Sequence, residues 1–502
     1  MPRTPYEFNP NIFIQFKILR GHEEESSLTN IEQANDILRK ENVKWVELQF
    51  TDVFGQLRCV FLPVRKFIEG RTWENGVNFD GSSIGFLTTE DSDMNAFPDP
   101  ETLVVLPFSP DPAKKTALVL CYVKDVTTKQ NFPGDPRSIS KNTEEILRDQ
   151  GFDGINTLSE MEFFVFKSLE AAQIENDVWG MDSNIGGGSL KVIPTLIKPL
   201  VNHDYIIKPK QGYFLAPPMD RVSGYRSQLC NLMEEFGYPI KYHHHENGNG
   251  QHEIEFEFIP GLTASSDAVI LFKQMSRLVS NDYDFVPTFM PKPLFADLGS
   301  GQHAHQYLVE NGENIFFDPD EPDHLSQTGR YYIGGILEYA KDMTPLTNPI
   351  INSYKRLVPE FEAPVFISWS FRNRTALVRV AAPTHKEHID IEARQADPAC
   401  NPYLVYSLYT RAGLLGIKNK IDPGDPVVGD VTKLTKREMR QKGIEHLPTT
   451  LEEALEIMET SDFVRDVLGS SMFDYYLEKK HEELFSIRIY VSPWEHYMYF
   501  NI

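Results

Sequence analysis

Four short stretches of this sequence place ionisable residues two apart. Ser159-Glu160-Met161-Glu162-Phe163-Phe164 sets two carboxylates in an otherwise apolar run, and His252-Glu253-Ile254-Glu255-Phe256-Glu257-Phe258 alternates carboxylates with apolar residues. Gly301-Gln302-His303-Ala304-His305 presents two imidazoles. Ile389-Asp390-Ile391-Glu392-Ala393-Arg394 joins carboxylates to a guanidinium. Residues i and i+2 of a strand point to one face. Any one of these stretches reads as a strand with a solvated polar side. Four together read as a sheet curved around a polar cavity that binds divalent cations through oxygen ligands. Carboxylates with one or two imidazoles and no thiolate suit Mg²⁺ or Mn²⁺. His243-His244-His245-Glu246 is open to two readings, a surface tract or a metal site. Glu246 precedes Glu253 by seven residues, so both can reach one ion across a turn.

A second feature is the density of arginine among apolar strand residues: Arg356, Arg372, Arg374, Arg379 and Arg394. Buried guanidinia need anions. Beside carboxylates and metals, they point to a phosphate and a substrate carboxylate bound together. That is the chemistry of ATP-driven carboxylate activation, in which metals, arginine and positioning carry phosphoryl transfer. The chain has no G-x-x-x-x-G-K-[ST] loop, which excludes a P-loop enzyme.

The elements that must position these groups are legible in outline. Ser27 to Lys40 has helical periodicity behind an N-cap candidate. From Val43 the texture changes to strands around the turn Asp52–Gly55, followed by strand-like runs at 102–108 and 116–123. The Pro/Gly-rich stretch 131–137 leads into a helical run at 138–151. Beyond it, strands (EMEFFVF, HEIEFEFIP, APVFISWSF, ALVRVAA) mix with helices expected at 264–280, 402–417 and 450–468. The alternation is not a regular βαβ repeat, so neither a doubly wound sheet nor a TIM barrel is expected. The expected organisation is an arm (1–26), a small α+β domain (27–131) and a large domain (132–502).

Composition narrows the function. Of 502 residues, 41% are hydrophobic and 24% charged, the balance of a globular chain. The net charge of −23 argues against nucleic acid or an anionic membrane as partner. Cys59, Cys121, Cys230 and Cys400 are far apart, which excludes a disulfide framework and fits a reducing compartment. The N-terminus lacks the apolar core of a signal peptide. No apolar run approaches the ~18–20 residues that span a bilayer. A cytoplasmic location is the expectation.

Read in order, the motifs resemble the glutamine synthetase family over residues 40 to 502. They are Phe79-Asp80-Gly81-Ser82-Ser83-Ile84, Glu160-Met161-Glu162, Gly212-Tyr213-Phe214, His244-His245-Glu246, Gly250-Gln251-His252-Glu253, Gly299-Ser300-Gly301 with His303 and His305, Asn352-Ser353-Tyr354-Lys355-Arg356-Leu357-Val358-Pro359, Glu362-Ala363-Pro364, Arg372-Asn373-Arg374, Glu392-Ala393-Arg394 and Asn401-Pro402-Tyr403-Leu404. The resemblance implies an α+β fold: a small N-terminal β-grasp-like domain, then a large catalytic domain whose curved antiparallel half-barrel sheet is flanked by helices. It implies an ATP-dependent ligase that joins glutamate to an amine through γ-glutamyl phosphate. Two or three Mg²⁺ or Mn²⁺ ions serve each site, with ATP as co-substrate. By the same resemblance, Glu162, Glu246 and Glu253 would hold the first metal, and Glu160, His303 and Glu392 the second. Arg356 and Arg394 would grip glutamate and phosphoryl oxygens, with Gly299 beside them. Arg374 and Arg379 would neutralise the transferring phosphate, and His305 would lie in the nucleotide cleft. Asp80, Ser83, Tyr213 and Glu246 would form the acceptor pocket, closed by Glu362. The family's double hexameric rings imply a homo-oligomer, a dodecamer, with active sites shared between subunits.

This chain departs from the family at several places. Leu298 stands where Asn is usual, Gln302 where Met is, and Asn247-Gly248-Asn249 where Val-Ala-Pro is. The loop after Ile84 is about one residue shorter. Asp390 replaces a common phosphate-binding Arg, and Tyr307 a common Ser. The first three changes and the short loop flank the amine end. They lead to an organic primary amine, alkyl or aryl, as the expected acceptor, with ammonium (an ordinary glutamine synthetase) as the alternative. Asp390 and Leu298 also leave a catalytically inactive relative as a minor alternative.

Overall fold

The computed structural model describes residues 27–86, 92–108, 114–167, 207, 210–294, 297–359, 361–381, 389–500 and 502. The expected N-terminal arm and residues 87–91 of the shortened loop lie outside them. Helix α1 (Ser27–Lys40) leads into β1 (Val43–Thr51) and β2 (Leu57–Pro63), which pair antiparallel. Asp52 makes the turn between them. Its carboxylate accepts the N–H groups of Phe54 and Gln56, both at 3.0 Å, and the guanidinium of Arg58. β3 (Val77–Asp80), β4 (Asp93–Pro98), β5 (Val104–Leu106) and β6 (Lys115–Asp125) complete a six-stranded sheet, in which β1 and β6 run parallel. Ala34 and Leu38 of α1 pack with Val46, Leu48, Val119 and Cys121 in a core of its own.

Helix α2 (Pro136–Asp149) follows the Pro/Gly stretch. Asp135 caps it by accepting the Ser138 N–H, and Pro136 fills the first turn, where a missing N–H costs nothing. The ten-stranded sheet beyond it comprises β7 (Gly154–Phe166), β8 (Ile240–His245), β9 (Gln251–Phe256), β10 (Ile259–Pro260), β11 (Val286–Thr288), β12 (Gln302–Glu310), β13 (Glu313–Asn314), β15 (Trp369–Phe371), β16 (Val378–Val380) and β17 (Ile391–Ala393). Its main order is β15-β16-β17-β12-β7-β9-β8, curled into a half-barrel. β14 (Phe366–Ile367) pairs instead with β18 (Glu445–His446).

The period of two decides what each face does. Met161, Phe163 and Val165 of β7, Ile254 and Phe256 of β9, and Ile391 and Ala393 of β17 point into one continuous core. That core is covered by α3 (Ser223–Glu235), α4 (Leu262–Ser280) and α5 (Pro402–Asn419). Each large side chain so buried stabilises the fold by about 1.5–3 kcal/mol. The intervening residues face the other way. The helix expected at 450–468 is in fact two, Leu451–Glu459 and Asp462–Leu468, because Ser461 interrupts it and caps the second by accepting the Val464 N–H.

The small sheet is bolted to the large body. Buried Arg137 donates to Asp99, just past the end of β4 of the small sheet, at 2.8 Å and to both oxygens of Asp267 on α4 at 3.0 and 2.9 Å. Tyr403 of α5 also donates to Asp267, and Asn401 donates to the carbonyls of Asp52 and Val53.

Candidate active site

The face that the core leaves unused carries the ionisable pairs. Strand register sets Glu160 opposite both His303 and Glu255, Glu162 opposite Glu253, and Glu392 opposite both His305 and Arg379. Among the described residues three groups result, each with ligand atoms within 4.8 Å of one another: Glu160, His303 and Glu392; His244, Glu246 and Glu253; and Glu160, Glu255 and His305. Glu257, by contrast, is exposed beyond the end of β9.

The donors fit oxygen-loving divalent cations. Glu253 is buried and Glu162 half-buried, with Glu246 nearby. Burial and the Glu246 charge push the Glu162 carboxyl up to about 8. Burial, with Glu160, Glu162 and Glu246, raises Glu253 well above the ordinary range. Such mutual repulsion calls for a cation among the carboxylates. At the other group, burial and Arg394 lower His303 to about 4, which leaves a neutral imidazole able to ligate. Burial alone would raise Glu160, but His305 and His303 hold it well below its usual range.

The structure brings most of the expected ligands together, with one rearrangement. Glu162 spends its Oε2 on the Gly301 N–H at 2.7 Å and the Gln251 amide at 2.9 Å. His244 takes the place beside Glu246 and Glu253, with its Nε2 3.2 Å from Glu253 and its Nδ1 3.7 Å from Glu246. The alternating run already displayed Glu255, and the histidine tract displayed His244. Their companions come from strands far off in sequence, which no local pattern reveals. Lys241, at 2.7 Å from Glu255, is likewise visible only in the folded chain.

Arginines line the other side. Arg379 and Arg394 both donate to buried Glu392. Arg356 donates to the carbonyls of Gln395 and Arg394 at 2.9 and 3.2 Å. Its approach explains Gly299 and Gly301, where an added Cβ would lie 2.9 Å from the Arg356 Cγ and 2.8 Å from its Nη2. Arg374 donates to the Tyr213 hydroxyl. His305 bridges Asp390 at 2.7 Å and Glu160 at 3.0 Å, so Asp390 is occupied by an imidazole.

Near the expected acceptor residue Glu246, Tyr213 stacks on Phe214 at 4.2 Å, and His244 stands edge-on to both rings. Glu362 has a left-handed φ of 60°, a conformation disfavoured for a residue with a Cβ, and accepts the Asn247 amide at 3.1 Å. Asp80 and Ser83 sit on and just after β3 of the small sheet. Among the described residues Asp80 bonds Ser82, Ser83 and Ser92 of its own loop, which hold its exposed carboxyl down at about 2. No described helix is long and apolar enough to cross a membrane.

Comparison with known proteins matches this geometry to a family. The chain matches the model described as "Glutamine synthetase, catalytic domain" over residues 133–499, and "Glutamine synthetase, beta-Grasp domain" over 42–126. It is 41% identical to the glutamine synthetase of Archaeoglobus fulgidus over 95% of this chain and 98% of that protein, and 39% identical to that of Methanosarcina mazei over 93% and 97%. Among solved structures it is similar to the cryo-EM structure of Plasmodium falciparum glutamine synthetase (TM-score 0.79, 25% identity, 95% of this chain and 99% of that chain). It is also similar to a GmaS/ADP complex (TM-score 0.77, 25% identity, 93% and 99%). With a β-grasp sheet, a half-barrel and a carboxylate-rich face in the order its motifs announce, the chain belongs to the glutamine synthetase family of ATP-dependent ligases that form carbon–nitrogen bonds.

Proposed function

We propose that this ligase joins the γ-carboxylate of glutamate to an organic primary amine, alkyl or aryl. The observation that carries this reading is the amine end itself. There the exposed rings of Tyr213 and Phe214 border His244 and Glu246, and the Asn247-Gly248-Asn249 turn, small and polar, holds Glu362. A second reading, ammonium as acceptor, is favoured by relatives named glutamine synthetase at up to 41% identity. An inactive relative is disfavoured, because five of the six expected metal ligands, Glu160, His303, Glu392, Glu246 and Glu253, fall in clusters whose ligand atoms lie within 4.8 Å of one another.

In this mechanism Glu162, Glu246 and Glu253, with His244 beside them, would hold one divalent cation, and Glu160, His303 and Glu392 would hold another. Bound Mg²⁺ or Mn²⁺ would supply charge neutralisation and Lewis acidity. Arg356 and Arg394 orient glutamate so that a γ-carboxylate oxygen attacks the γ-phosphorus of ATP, breaking its bond to the ADP oxygen. Arg374 and Arg379 offset charge on the transferring group. His305 lies in the nucleotide cleft. The amine nitrogen then attacks the acyl carbon, phosphate leaves, and the amine proton passes to Asp80, with Ser83, Tyr213 and Glu246 shaping the acceptor pocket. Glu362 and its loop exclude water that would otherwise hydrolyse the acyl phosphate.

Asp80 comes from a neighbouring subunit in this reading, because the bolted small sheet leaves it solvent-exposed in its own chain. A ring oligomer, a dodecamer, follows. Support comes from the exposed apolar residues of α6 (Ser470–Ile489) and α7 (Pro493–Tyr499) and their flanks, among them Phe485, Ile489, Trp494 and Phe500. Light scattering at micromolar concentration should give a multiple of the 57.5 kDa chain, and a monomeric mass would overturn the shared site. The acceptor is tested by phosphate release from ATP and glutamate with ammonium, alkylamines and arylamines. Turnover with organic amines at higher kcat/KM than with ammonium is expected. Turnover with ammonium alone would make this a plain glutamine synthetase.

A further inference from the structure

We infer that the apolar part of the acceptor amine lodges in a cavity of about 450 Å³ along the outer edge of β8, walled by Phe214, Leu215, Pro217, Tyr242 and His244. This rests on the organic-amine reading above and names where its selectivity resides.

Among the described residues β8 ends the main strand order of the large sheet, and the cavity lies where its outer edge meets a loop and α3. Its size is that of a small-molecule site. The floor is ionic but spent. Asp220 and Arg226, both nearly fully buried, pair through two bonds of 3.1 and 2.5 Å. Arg226 also reaches His252 Nδ1 at 2.8 Å and His243 Nδ1 at 3.3 Å, and the other nitrogen of His243 meets the Ser227 hydroxyl. The Ser223 hydroxyl donates to the Asp220 carbonyl. Tyr242 bonds Glu255. With these polar groups occupied inside the protein, what the cavity offers a guest is ring faces and aliphatic flanks. A charged guest would find no free counter-charge among these groups and would lose its hydration. A neutral alkyl or aryl group would gain by leaving water.

His244 ties this cavity to the chemistry. One side of its imidazole forms the cavity wall, while its nitrogens lie beside Glu253 and Glu246. Phe214, 61% exposed, stacks on Tyr213, whose hydroxyl bonds Arg374. The aromatic wall therefore runs without a break from the cavity to the arginines that would meet the phosphoryl group. An amine with its nitrogen at Glu246 needs only a short arm past His244 to place its apolar end against Phe214.

The test uses the full chain with saturating Mg²⁺, ATP and glutamate and a series of linear alkylamines and phenylalkylamines. Wild-type kcat/KM should rise by about fourfold per added methylene until the cavity is full. Phe214→Ala removes an exposed ring and leaves the core intact. It should flatten that rise and lower the selectivity for organic amine over ammonium by about tenfold or more. Leu215→Trp should exclude the longer amines while methylamine still reacts. An enzyme that uses organic amines with unchanged selectivity in both variants would overturn the cavity assignment and leave the acceptor reading standing. A rise in KM for ATP rather than for the amine would give the cavity to the nucleotide and overturn the proposal. Wild-type turnover with ammonium alone would bring down the acceptor reading itself.

Discussion

The two ends of the carboxylate-lined face are held in opposite ways. Around Glu392 the carboxylates find partners within the protein: Arg379, Arg394 and the imidazoles His303 and His305 surround Glu392 and Glu160. Around Glu253 acid crowds acid, and the relief comes from His244, from the Gly301 N–H on Glu162 and from the Asn247 N–H on Glu246. The contrast teaches that one end is paired internally before any ligand arrives, whereas at the other the crowding of carboxylates is relieved only in part. In the proposed mechanism the pre-paired arginines would exchange Glu392 for phosphate oxygens. The crowded end has no such exchange to make.

That difference can be broken first at the crowded end. Glu253→Ala should lower turnover by more than about 10³-fold, because several kcal/mol of charge stabilisation depend on the cation it helps hold. Activity at saturating Mg²⁺ within a few-fold of wild type would reassign the ligand, with Glu255 rather than the exposed Glu257 as next candidate. At the balanced end, Arg379→Ala leaves Glu392 with Arg394. The expected loss is about 10²–10³-fold in kcat, with KM for Mg²⁺ nearly unchanged. A shift in metal KM instead would mean that Arg379 supports the ligand and not the phosphate.

A third measurement extends the contrast to the acceptor. Asp80→Asn should depress kcat/KM for ammonium by about 10²-fold more than for an aniline-like amine, which is already neutral at pH 7 and needs little help from a base. Equal losses with both would remove Asp80 from proton transfer. The smallest effect is thermal. Mg²⁺ at a hundredfold excess over its Kd should stabilise wild type by about 2.7 kcal/mol per site. Calorimetry should show that gain largely retained in Arg379→Ala and reduced in Glu253→Ala; the reverse pattern would invert the roles of the two ends.

Much of this face could be read before folding. Carboxylates alternating with Met161, Phe163, Ile254 and Phe256 stand out because a strand sends alternate side chains to opposite environments. The four stretches and the arginines among apolar residues therefore marked the site directly. Strand register is not local, however. That Glu160 meets His303 across 143 residues, or that Asn247 holds Glu362 across 115, depends on how distant strands and loops align. Ser461 shows the same limit on a smaller scale. Its hydroxyl competes for a backbone N–H and splits a helix that apolar periodicity alone runs together.

The bolt through Arg137 and Asn401 has a consequence for mixed assemblies. Since the small sheet is fixed to its own large domain, Asp80 of one copy and Glu253 of another can meet only by the packing of whole subunits. Assayed with ammonium, two crippled variants, Asp80→Asn and Glu253→Ala, would each carry the half that the other lacks. Unfolded, mixed in equal amounts and reassembled at random, they should regain about a quarter of wild-type sites, as head-to-tail sharing requires. A chain whose small sheet swung freely could complete its own site, and its crippled variants would have nothing to lend each other.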